Sequence, residues 1–64
     1  MRTGDKVRLR DNPRFVHEFV IEMLRGKEGV IVSADYMRDW VVEFPGTQRV
    51  GGQFALDEPD LVLV

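Results

Sequence analysis

The chain has 64 residues, 44% of them hydrophobic and 31% charged, with a net charge of −2 and no cysteine. A single domain of this size buries only about 60% of the surface its unfolded form exposes, which leaves little stability for strained catalytic geometry. Disulfide staples and thiol metal sites are excluded, no run approaches the roughly 20 apolar residues of a membrane span, and the polar start MRTGDKVRLRD does not read as a secretory signal. The expectation is one cytoplasmic domain over residues 1–64, not an enzyme and without a cofactor.

In chain order, Gly4-Asp5 reads as a turn. Lys6 to Asp11 then alternates cation with apolar side chain, so Val7 and Leu9 face one side and Lys6, Arg8 and Arg10 the other, the pattern of a half-buried strand. Asn12-Pro13 has helix-start chemistry, an N-cap residue followed by proline at the first helical position. Phe15, Phe19 and Met23 repeat every four residues, and Val16, Val20 and Leu24 do so one step along, which places both rows on one face of a helix over about residues 13–25. Arg14 and Glu18 form an i,i+4 pair there, and Gly26 stands where a left-handed C-cap is needed. Because Val16, Phe19, Val20 and Ile21 also favour strands, an extended loop with a strand-like middle stays open as the alternative.

Gly29 opens the run Val30-Ile31-Val32, and a glycine at a strand start points to positive φ or to a backbone approach that a Cβ would block. Ser33 to Asp39 is a polar connection to a strand over Trp40 to Phe44, with Trp40, Val42 and Phe44 on one face; the two strands form a hairpin. Pro45-Gly46 ends it, and Thr47 to Gly52 reads as a glycine-rich, mobile tip. Phe54 and Leu56 resume the alternation, Asp57 to Asp60 reads as a tight turn or one turn of 3₁₀ helix, and Leu61 to Val64 as a last strand. Five short strands call for a partly closed antiparallel barrel, because an open sheet exposes long edges. The expected core is Val7, Leu9, Val30, Val32, Val42, Phe44, Phe54, Leu56, Leu61 and Leu63, each contributing about 1.5 to 3 kcal/mol before chain entropy is subtracted.

The segments Gly4-Asp5-Lys6-Val7-Arg8, Gly26-Lys27-Glu28-Gly29-Val30-Ile31-Val32, Val41-Val42-Glu43-Phe44 and Phe54-Ala55-Leu56, leading to Leu61-Val62-Leu63, resemble the Src-homology-3-like small barrels. Within that group the strand-opening motif is similar to the KOW type of ribosomal and transcription-elongation proteins. The whole-chain order also resembles two accessory subunits, photosystem I subunit IV and the variable chain of ferredoxin-thioredoxin reductase. The resemblance implies a mainly β fold: a five-stranded SH3-like antiparallel barrel with one short helix inserted between strands 1 and 2. Phe15 to Arg25 differs from the acidic, tyrosine-rich loop with which Src-homology-3 domains grip proline-rich ligands, so that binding mode is not carried over.

Catalytic and metal chemistry find little support. His17 is the one histidine and Ser33 the one serine, and neither sits in a constellation that would make a ligand set or a nucleophile. Gly26 and Gly29 lead into a strand, whereas a phosphate loop leads into a helix with lysine and a hydroxyl.

The residues that stand out belong to surfaces. Tyr36, Met37 and Trp40 crowd the central hairpin, and Arg49 and Phe54 lie nearby if the barrel closes; aromatic residues beside arginine are typical of contact hot spots. The alternative is that Trp40 plugs the barrel end while Tyr36 decorates the turn. Lys6, Arg8 and Arg10 would line up along about 14 Å of strand, facing phosphates, an acidic partner, or neighbouring acids such as Asp60. Charge is divided along the chain: residues 1–27 carry seven Lys/Arg against four Asp/Glu, and residues 28–64 carry two against seven. The first expectation is an accessory or regulatory module, monomer or weak dimer, that binds another protein. The alternative is a KOW-like RNA-binding or ribosome-associated module using Lys6, Arg8, Arg10, Arg14 and Lys27, which the net negative charge disfavours.

Overall fold

A computed structural model describes residues 1–47 and 50–64. The order is β1 (Lys6–Leu9), α1 (Glu18–Leu24), β2 (Gly29–Ala34), β3 (Trp40–Glu43), a 3₁₀ turn (Val50–Gly52), β4 (Gln53–Leu56), a second 3₁₀ turn (Glu58–Asp60) and β5 (Leu61–Leu63). All strand pairs are antiparallel, in the order β4-β3-β2-β1-β5. The protein is thus mainly β, with one short helix between the first two strands. The arrangement is compatible with an SH3-like barrel, but the sheet is not closed: β4 and β5 are its two edges, each only three or four residues long.

The core lies on the inner face of this sheet. Val7, Ile31, Val42, Phe44, Phe54, Leu56 and Leu61 are buried there, and Val20 and Leu24 of α1 cover them. Phe44 and Phe54 meet edge to face, with centroids 5.8 Å apart. Alternation along β1, β3 and β4 therefore faces as expected.

Strand β2 does not. Ile31 is buried opposite Val42, while Val30 and Val32 are only half-buried on the other face. Val32 is the extra residue of a register shift between Ile31 and Ser33, which lets the strand bend over the core. At the margins, Leu9 is half-buried, and Leu63 stays 56% exposed because it lies on the outermost strand.

The helix is shorter than its sequence pattern, starting at Glu18 after His17 as N-cap and not at Asn12-Pro13. A helix running through Phe15 would aim that carbonyl at the amide of Phe19, but here it accepts the Arg38 guanidinium at 2.8 Å. Only the row Val16, Val20, Leu24, with Met23 beside it, faces the core; Phe15 and Phe19 point outward. The ion pair on the helix is Arg25–Glu22 at 2.8 Å, in place of Arg14–Glu18.

Candidate functional site

The loop Asp35–Asp39 between β2 and β3 carries Tyr36 and Met37, which are 97% and 76% exposed. Its backbone is nevertheless tied on every side. Asp35 Oδ2 accepts the N–H groups of Met37 and Arg38 at 3.1 and 2.7 Å, and the Asp35 N–H donates to the Asp39 carbonyl at 3.3 Å. Asp39 Oδ2 accepts the Glu58 N–H at 2.7 Å. Arg38 reaches down from the loop and forks onto Asp57, with Nε to Oδ1 at 3.0 Å and Nη2 to Oδ2 at 2.9 Å. Loop, second 3₁₀ turn and the segment before α1 are thereby joined by one guanidinium.

This pairing sets a pH dependence. The hydrogen bonds from Arg38 hold the Asp57 carboxyl below its ordinary value, against desolvation and with help from the guanidinium charge and an Asp39 backbone group. A carboxyl lowered in the folded state stabilises the fold fully above its unfolded value of about 3.9 and loses that contribution as the pH falls through the lower folded value. Thermal melts of wild type and Asp57→Asn should differ most above pH ~4 and converge below it. A gap that stays constant down to pH ~2 would reject the linkage.

The other expected contact residues lie apart from the loop tip. Trp40 is half-buried against the core, with its Nε1 donating to Glu58 Oε1 at 2.9 Å. Phe54 is 3% exposed and belongs to the core, not to a surface shared with Tyr36. Arg49 lies outside the described residues.

On the opposite charge side, Lys6 and Arg8 are exposed on β1 and Arg10 is half-buried just after it. Asp60 does not neutralise them: its carboxylate accepts the N–H groups of Arg14 and Phe15 at 2.8 and 3.1 Å. Arg8 and Arg10 instead share a groove with Arg25 and Lys27 from the far end of α1. Sequence reasoning gave Arg38 and Arg25 no site role and took Asp60 only as a neighbour of the cation row. Their partners are distant in sequence or set by the helix end, and the one local cue is an arginine flanked by Asp35 and Asp39.

Comparison with known protein families, curated proteins and solved structures finds no match to this chain. What the surfaces can do is therefore read from their chemistry. Among the described residues, no group of three or more His, Cys, Asp or Glu could hold a metal ion, and no helix is long and apolar enough to cross a membrane.

Proposed function

We propose that the chain is a small non-catalytic binding module, an accessory or regulatory protein of the cytoplasm that acts through protein–protein contacts. The observation that carries this reading is the display of Tyr36 and Met37, both almost bare, on a loop whose backbone is fixed by Asp35, Arg38 and Asp39. A large aromatic and a flexible thioether held in water cost solubility unless a partner covers them. Fixing the loop in advance lowers the ordering cost of binding, as expected of a contact hot spot. The resemblance to small barrels that serve as accessory subunits points the same way.

The test is retention of proteins from the source cell on immobilised wild type and on the double variant Tyr36→Ala/Met37→Ala. Both side chains lie outside the core, so the variant's stability should stay within about 0.5 kcal/mol per site of wild type. A partner held by wild type and released by a folded variant is the expected result. Identical retention profiles would reject the loop as the contact.

A further inference from the structure

A second surface, separate from the Tyr36 loop, is more specific in its chemistry. Between the end of β1 and the C-terminal end of α1 lies a groove of about 380 Å³ lined by Arg8, Arg10, Arg25 and Lys27, with Leu9, Ile21 and Leu24 beneath them. Asp11 is the one acidic residue of its lining. Four cations against one carboxylate is a strong local excess on a chain whose net charge is −2. They are brought together from two stretches, residues 8–10 and 25–27, that the fold sets side by side.

The cations are incompletely neutralised from within. Arg25 pairs with Glu22 at 2.8 Å, and Arg8 stands 4.0 Å from the highly exposed Asp11. Arg10 and Lys27, the two half-buried ones, make no ion pair among the described residues; the Arg10 Nε donates to the Asn12 carbonyl at 3.1 Å. A guanidinium carries five N–H donors, so each arginine keeps donors for a ligand. Half-burial on an apolar floor also raises the attraction for an anion, because the local dielectric is lower than that of water.

We infer that this groove binds a short polyphosphate chain, carried either by a nucleoside triphosphate or by inorganic polyphosphate. The small volume of the groove favours phosphate over an acidic peptide, because it must hold the neutralising charge within a short length. Carboxylates on one face of an extended peptide are about 7 Å apart, whereas neighbouring phosphates are joined through a single bridging oxygen. The restriction to a short chain comes from the next hollow along the surface. It shares Asp11, Ile21 and Arg25 with the basic groove and adds Glu18 and Glu22, so a longer polyanion continuing that way meets three carboxylates.

The experiment is a titration of the full chain at low salt, followed by amide NMR shifts and calorimetry, with tripolyphosphate, a nucleoside triphosphate, a hexa-aspartate peptide and oligonucleotides of increasing length. Expected are shifts centred on Arg8, Arg10, Ile21, Arg25 and Lys27 with both polyphosphate ligands. Tighter binding of the nucleotide would assign it as the source, and equal binding would assign the inorganic chain. Arg10→Gln/Lys27→Gln should weaken binding by about tenfold or more, while Lys6→Gln, which removes a cation outside the groove, should leave it unchanged. The inference is overturned by absence of shifts in the wild-type groove, by equal affinity for the peptide, by affinity that climbs with oligonucleotide length, or by an equal loss in Lys6→Gln.

Discussion

Gly29→Val lowers stability by about 3 kcal/mol or more, whereas Gly26→Asn costs about 1 kcal/mol or less. Both glycines flank the same turn, and their surroundings separate them. A Cβ at Gly29 would stand 2.8 Å from the Glu43 carbonyl oxygen, 2.8 Å from Val42 Cγ1 and 3.0 Å from Phe44 Cδ2. The carbonyl belongs to the β2–β3 ladder and cannot move without breaking it, so even alanine is crowded there and valine forces the strands apart. Gly26 has φ of +73° and open space around its missing side chain. Asparagine tolerates that left-handed conformation, and the Lys27 N–H to Leu24 carbonyl bond of the helix end, 3.0 Å, can persist. Since 1 kcal/mol shifts the midpoint of a domain this small by roughly 4–8 °C, thermal melts resolve the two variants clearly. Equal losses would place the start of β2 elsewhere.

The same glycine explains what the sequence conveyed about the fold and what it did not. Strands with mixed polarity declare their faces: in β1 the cations Lys6 and Arg8 alternate with Val7 and Leu9, which leaves one solution. The run Val30-Ile31-Val32 is apolar throughout, so nothing in its own composition says which side chain turns inward. Gly29 does say it. If its backbone must approach another strand on the core side, period two puts Ile31 on that side as well, and Ile31 is the residue that is buried. The Phe15–Phe19 row misled for a related reason: a four-residue repeat marks a shared helix face, but here the core needs only the width of Val16, Val20 and Leu24.

The surfaces were legible in proportion to how local they are. Tyr36 and Met37 follow from a polar connection that carries large side chains, and the cation row follows from alternation in β1. Arg25 and Lys27 could be counted but not placed, because the turn at Gly26 and the docking of α1 decide that they share a groove with Arg8 and Arg10. The fixed geometry of the Tyr36 loop rests on Asp57 and Glu58, about twenty residues further on, and no nearby spacing announces it.

Asp60 is the extreme case, and its removal should be the second costly change. Its side chain has no exposed surface, yet it stands on a short 3₁₀ turn whose sequence, read as a tight turn or one turn of 3₁₀ helix, does not announce a buried carboxylate. The two carboxylate oxygens accept the Arg14 and Phe15 N–H groups, while its backbone carbonyl accepts the Arg10 N–H at 2.9 Å and its N–H donates to the Asp57 carbonyl at 3.0 Å. One residue therefore pins the start of the inserted segment to the far end of the chain, and it does so with charge-assisted bonds. Asp60→Ala removes both acceptors and leaves a void beside two unpaired amides, at a cost of about 2 to 4 kcal/mol. Asp60→Asn keeps one acceptor but turns an NH₂ toward the second donor, so it stays below wild type without restoring the pair. Amide exchange distinguishes this anchor from a general packing defect. The Arg14 and Phe15 amides should lose protection first, and the loss should spread to α1 through the Phe15 carbonyl that Arg38 holds, while the β2–β3 ladder exchanges last. Unchanged exchange at Arg14 and Phe15 in Asp60→Ala would show that the segment is held by its apolar row alone.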